Sequence, residues 1–362
     1  MEPVDDFGTN RHSPHRPKLG RPGGPSRYPD LCFADGNVAV VAGAQYFLVH
    51  SGVLCRHSEV LSSTIKEIRD RTPPTTEEYP VVQCDDSGDD MAYFLAAIYD
   101  GVSDIRCDAH DFARAAGVLR LSTKYDVKHL RSAVLAGFAR SWPKTLEEWE
   151  TREIEATNPS GLYAPCISLP YPILVINLAR EVGAPGLLPS AFYDLCRYLP
   201  SEAASGYKAN DSKHHRLAQE DLLRMLQGRE HAARFLSTFI VNELEGRQAS
   251  EECLNRLLLS AEGAIVRRSE CTMAFETVTF ELVRDVNGLV CNRNSDVLYA
   301  IGHSLMLQTR DVKTGHPLQP LPRTCEPCRM VYAGVVDDAR RELWSLLPTW
   351  FGVEVEDWPT RP

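Results

Sequence analysis

Residues 35–61, DGNVAVVAGAQYFLVHSGVLCRHSEVL, carry the pattern that decides the fold. The first half predicts two short strands, 38–41 and 45–49. Both are rich in β-branched and aromatic residues, and Gly43 breaks the run between them. The second half changes period. Val53, Leu54, Val60 and Leu61 fit helices broken near Ser58, whose hydroxyl can accept a bond from a free N–H and open a second helix. A hairpin that runs directly into a helical pair is a specific beginning.

Working outward, Val81-Val82-Gln83-Cys84-Asp85 predicts a third strand and MAYFLAAIY (91–99) a helix with one buried face. FARAAGVLRLSTKY (112–125) and residues 127–138 predict a closing helical pair. The phrase Phe47-Leu48-Val49-His50, followed by Leu54, Ser58 and Val60, resembles the signature of the BTB (POZ) domain, a protein-interaction fold. Asp35 ahead of the first strand belongs to the same pattern, and residues 118–131 keep the family's later phrase nearly intact. The resemblance covers residues 28–142 and implies a small three-stranded sheet surrounded by helices. Two positions depart from it: Leu61 stands where a phenylalanine is common, and Ser51 where many members carry Lys or Arg.

None of these residues predicts catalysis. His50, at a strand-to-helix junction, reads as a hydrogen-bonded scaffold residue. Asp30 and Asp35 flank the first strand, where carboxylates commonly cap turns.

The rest of the chain divides by composition. Residues 1–27 hold Pro14, Pro17, Pro22, Pro25 and a Gly23-Gly24 pair with few apolar groups, which predicts a disordered, mildly basic tail. Residues 143–282 predict an all-α extension, and 283–362 a C-terminal region ending in Trp344, Trp350 and Trp358. Helices are expected over 146–154, 173–182 and 187–199. An exposed loop is expected over 201–215. A helical pair, 219–227 and 231–244, is expected to join at Gly228-Arg229-Glu230. The phrases ILVINLAREVGAPGLLPSAFYDLCRYL, LLRMLQGREHAARFLSTFI and RRELWSLLPTWFGVEVEDW are similar to the extensions of fungal BTB proteins, especially those of mushroom-forming fungi. The fold class expected is α+β, mostly helical.

Composition narrows the function. The chain has 362 residues, 43% hydrophobic and 24% charged, with net charge −10 and an isoelectric point near 5.6. Direct nucleic-acid binding therefore gets no global electrostatic help. Residues 38–49, the longest apolar stretch, are too short to span a bilayer, and the N-terminus carries no apolar signal core. Cytoplasm or nucleus is the expected compartment, with the eleven scattered cysteines reduced.

One motif stands apart. Cys325-Glu326-Pro327-Cys328 has the C-x-x-C spacing that sets two thiolates on one zinc ion. Cys291, His303 and His316 are the residues that could complete four ligands, but no second C-x-x-C or H-x-x-x-H supplies the other pair. Prolines around the motif speak against a helix start there, as a thioredoxin-like role would need. Two packed free cysteines, and no cofactor, are the expectation.

Enzyme signatures are missing from the pattern. Gly302-His303-Ser304-Leu305-Met306 lacks the second glycine of a nucleophile elbow, and residues 183–186 follow a helix as a stop signal. The resemblance implies instead a non-enzymatic module that binds itself or another protein, with no small-molecule substrate. A sharper version is a substrate adaptor for a cullin-type ubiquitin ligase. Such adaptors often present a hydrophobic–x–acid motif after the second helix. Ile65-Lys66-Glu67 and Ile68-Arg69-Asp70 are two registers for it, which makes Ile65, Glu67, Ile68 and Asp70 the partner-binding candidates. A transcriptional or chromatin regulator acting through protein partners is the alternative, and an enzyme the third class.

Overall fold

The computed structural model describes residues 24–71, 79–157, 169–209, 213–255, 270–284, 295–307 and 323–360. The chain divides into two compact units. The first comprises the chain up to Arg106 and Ala113–Val134, and the second Cys107–Phe112 and Leu135 onward.

The first unit is built on a four-stranded sheet: β1 (Ser26–Cys32), β2 (Val38–Ala42), β3 (Gln45–Val49) and β4 (Val81–Cys84), in the order β1-β3-β2-β4. β2 and β3 pair antiparallel from Val38↔Val49 to Ala42↔Gln45, and β4 runs parallel to β2. Gly43 makes the tight turn at φ 54°, a conformation that costs glycine little. All five residues of β2 are buried, as befits the centre of a sheet covered on both faces.

Three strands were expected and four are present. β1, SRYPDLC, lies parallel to β3, with a register irregularity between Arg27 and Cys32. Only Leu31 and Cys32 of it are buried, so it shows no period-2 alternation. Pro29 is tolerated because the strand is an edge. Ser26 and Arg27 thus belong to the sheet and not to a disordered tail; residues 1–23 lie outside the described residues.

Helices α1 (Ser51–His57), α2 (Glu59–Arg71), α3 (Gly88–Asp100), α4 (Phe112–Lys124) and α5 (Lys128–Ser141) follow the expected order. α3 starts where the Ser87 hydroxyl accepts the Asp90 N–H at 3.0 Å. It buries Met91, Phe94, Leu95 and Ile98 on one face. The division between the units passes through α5.

The second unit is mostly helical: α6 (Leu146–Glu155), α7 (Pro172–Glu181), α8 (Leu188–Cys196), α9 (Pro200–Ser205), α10 (Gln219–Phe239), α11 (Glu270–Arg284), α12 (Val297–Leu307) and α13 (Glu326–Trp350). α8 is buried along its whole length and packs with α7, α10 and α13. The aromatic end closes on this body. Trp344 is 1% exposed and donates its indole N–H to the Lys144 carbonyl at 2.7 Å, while Trp358 stacks on Trp344 at 5.5 Å.

Three expectations are corrected here. Residues 201–215 are not simply a loop: they hold most of α9 and a two-residue ladder, β5 (Tyr207–Lys208) with β6 (His214–His215), so the extension is not wholly helical. The pair expected to join at Gly228 is one continuous helix, α10, running into a π-helical turn at Ile240–Leu244. Gly228 is there because the Phe351 ring occupies the space a Cβ would take. Finally, the C-x-x-C motif does open a helix: Cys325 is the N-cap of α13, and Pro327 sits in its first turn, where a missing N–H costs nothing. Among the described residues, no helix is long and apolar enough to cross a membrane.

Candidate functional site

The strand-to-helix junction of the first unit is organised by His50. Its backbone N–H donates to the Tyr99 hydroxyl at 3.0 Å, and its Nδ1 lies 2.9 Å from that same oxygen. Its Nε2 lies 3.1 Å from Oδ1 of Asp35, whose side chain is 85% exposed. The hydrogen bond from His50 lowers the Asp35 pKa, and burial raises that of Tyr99. Phe33 packs against both rings. Both nitrogens of the His50 ring therefore have a partner, and together they tie the strand-to-helix junction to Tyr99 and Asp35.

The remaining signature residues serve the same scaffold. Phe47 and Leu54 are fully buried. Ser58 is 1% exposed and works in two directions: its Oγ accepts the Leu61 N–H at 3.0 Å, capping α2, and donates to the Tyr125 carbonyl at 2.6 Å. Ser51, one of the two departures, is buried too. Its N–H donates to Asn37 Oδ1 at 2.7 Å, and its hydroxyl accepts from Arg69 at 2.8 Å.

The four partner-binding candidates separate along α2. Ile65 is 1% exposed, so it closes the core and cannot be an apolar anchor for a partner. This corrects the Ile65-Lys66-Glu67 register. Ile68 is half-buried, with Glu67 and Asp70 exposed beside it, and Val60, near the start of the same helix, is 42% exposed. Glu67 lies 3.6 Å from Arg71, an exposed pair worth little by itself. The loop after α2 lies mostly outside the described residues, at 72–78.

In the second unit, sequence reasoning missed a buried charge network. Arg152 and Arg197 share Asp194, with Arg152 at 2.5 Å. Arg197 also reaches Glu153 at 2.8 Å and Asp296 at 3.0 Å. Trp149 lies beneath both guanidinium groups, and the Tyr193 hydroxyl donates to Asp296 at 2.9 Å. Burial raises the Asp194 pKa, but the two arginines outweigh it, and the net direction is down. No local signal marks this set, because its members are spread from α6 to the start of α12. A groove of about 510 Å³ lies beside it, lined by Trp149, Ile154, Leu298 and Tyr299. The carboxylates that line this groove are already paired: Glu153 and Asp296 with Arg197, and Glu150 with Arg340 at 2.6 Å.

Cys325 and Cys328 are free, as expected, but their neighbours are not the residues the sequence offered as further ligands. Cys325 and Cys328 do come together, but with Cys253 and Cys271, which the spacing gave no reason to choose. His303 lies on α12, stacked on Tyr299 at 5.2 Å, outside that group; Cys291 and His316 lie outside the described residues. The four Sγ atoms lie within 4.8 Å of one another. Cys253 Sγ is 3.6 Å from Cys271 Sγ and 3.8 Å from Cys325 Sγ. N–H groups point at the sulfurs: Cys325 N–H to Cys271 at 3.2 Å, Ser250 N–H to Cys328 at 3.3 Å, and Asn255 Nδ2 to Cys271 at 3.5 Å. Burial pushes the Cys253 and Cys271 thiols up. Burial also raises Cys325, but the N–H groups of Cys328 and Leu254 and the neighbouring thiols bring it down to about 7.

Compared with known proteins, the chain matches no protein-family model and no curated protein.

Proposed function

We propose that this chain is a non-enzymatic protein-interaction protein whose first unit is a BTB-type module. One observation carries the reading: the signature residues are spent on the scaffold. Phe47 and Leu54 fill the core, Ser58 caps α2, and His50 fastens β3 to Tyr99 of α3. On the outer face of α2 the unit presents Ile68, half-buried between the exposed Glu67 and Asp70. A half-exposed aliphatic ringed by charge is the arrangement of a small binding hot spot.

The partner that fits is a second copy of the unit or the helical end of a cullin-type scaffold, with Ile68-Arg69-Asp70 supplying the hydrophobic–x–acid motif. The direct test titrates the full chain with a purified cullin N-terminal domain by calorimetry and follows self-association by sedimentation. Wild type is expected to bind one or the other, and Ile68→Asp to lose at least about tenfold in affinity at an unchanged melting temperature. A chain that stays monomeric and binds no cullin overturns this reading. Selective recovery of chromatin proteins from nuclear extract would then favour the regulator.

A further inference from the structure

The thiol cluster of the second unit is independent of the first unit's partner chemistry. Three separate segments build it. Cys253 comes from the turn that follows the π-helical segment, Cys271 from the first turn of α11, and Cys325 and Cys328 from the N-cap and first turn of α13. The sequence separations are 18 and 54 residues, so only the fold brings these groups together.

Four sulfurs converging on one point is a more demanding arrangement than packed free thiols need. A tetrahedral ion with metal–sulfur bonds of about 2.3 Å requires sulfur–sulfur edges of about 3.8 Å. The separations of 3.6 and 3.8 Å match that edge, and the rest lie within 4.8 Å. A disulfide would instead bring two sulfurs to about 2.05 Å and leave the other two without a role. Four thiolates on a divalent ion leave a net charge of −2, which burial penalises unless it is offset. Here the offset is built in: three N–H donors reach the sulfurs, and the positive ends of α11 and α13 lie at the cluster. Cys253, Cys271 and Cys328 are buried and Cys325 is half-buried, so most of the site is shielded from solvent.

We propose that Cys253, Cys271, Cys325 and Cys328 hold one Zn²⁺ as a closed tetrathiolate site that fastens the turn at Ser250–Asn255 to the N-termini of α11 and α13. Soft thiolate ligands in tetrahedral array select zinc or iron among the common ions. With all four positions filled by protein, no position is open for substrate, so the site is structural. The same cross-link sets Phe275 of α11 against Tyr332 of α13, whose rings lie 5.3 Å apart with Arg247 over both.

The test uses the full chain purified under reducing, metal-clean conditions. Elemental analysis and native mass spectrometry are expected to give one zinc per chain. Exchange with Co²⁺ is expected to give the visible bands of tetrahedral cobalt and a thiolate charge-transfer band. Cys271→Ser and Cys328→Ser are expected to lose the metal, whereas Cys55→Ser, in the first unit, keeps it. Asn255→Ala is expected to weaken zinc about tenfold against a competing chelator. Should the cysteine variants fail to fold, the wild-type metal content and cobalt spectrum decide alone. A reduced, folded wild type that carries no zinc and gives no tetrahedral cobalt spectrum overturns the proposal. So does iron as the resident metal, or a Cys253–Cys271 disulfide in protein kept anaerobic throughout.

Discussion

Gly228 of α10 and Phe351 after α13 share one space: a Cβ on Gly228 would fall inside the van der Waals envelope of the Phe351 ring. Phe351 is 1% exposed and stacks on Phe192 at 5.2 Å, so moving its ring would disturb that packing. Gly228→Ala is therefore expected to destabilise the second unit by about 1–3 kcal/mol through overpacking. This runs against the gain of about 1 kcal/mol that alanine brings to an exposed helix interior. Urea unfolding of Gly228→Ala, Phe351→Leu and the double variant measures it. A favourable coupling between the two substitutions is expected, and strict additivity would place the ring elsewhere.

That glycine also shows where sequence reasoning stops. An isolated Gly-Arg-Glu inside a helical pattern reads as a break, because the competing explanation is a ring 123 positions away in the chain. Local patterns were legible where neighbours supply the cause: the β-branched and aromatic run of 38–49 with its Gly43 break, the Ser58 cap and the apolar face of 91–99. β1 was not, since an edge strand with two buried residues carries no period. The cysteine cluster was half legible. C-x-x-C is a short-range signal, but Cys253 and Cys271 are ordinary single cysteines until the fold delivers them. The Arg152–Asp194–Arg197 network left no trace at all, because its spacing in sequence has no regularity.

Ser58 should be among the most sensitive polar positions of the first unit. Ser58→Ala removes the cap of α2 and leaves the buried Tyr125 carbonyl without its donor. The expected loss is about 1–3 kcal/mol, from the cap and the orphaned acceptor together. Ser58→Thr should recover part of it. Denaturant midpoints with an unchanged m-value check the prediction; a loss below about 0.5 kcal/mol would mean that water replaces both bonds.

The buried network gives a pH signature. The Asp194 pKa is lowered in the folded protein, so its ionised form stabilises the fold above the unfolded carboxylate value of about 3.9. That contribution is lost as pH falls through the lower, folded value. Asp194→Asn should thus melt below wild type at neutral pH, with the gap narrowing as the solution is acidified past that window. Arg197→Met leaves Glu153, Asp194 and Asp296 with an incomplete set of cations and is expected to cost about 3–5 kcal/mol. A melting difference that stays constant from neutral pH into acid would remove Asp194 from the account.

The two isoleucines of α2 separate scaffold from surface within one helix turn. Ile65 is 1% exposed beneath the helix, so Ile65→Asp places an unpaired carboxylate in the core. Several kcal/mol of cost are expected, enough to unfold a marginal unit. Ile68 is half-buried at the edge of the same face, where an aspartate can keep its charge in water. Ile68→Asp should shift stability by less than about 1 kcal/mol, while removing whatever partner the α2 face holds. The pair of measurements is a melt by circular dichroism and a binding titration on the same preparations. If both variants unfold, Ile68 belongs to the core and α2 offers no apolar anchor. If Ile68→Asp changes neither melting nor binding, the partner surface lies on another element.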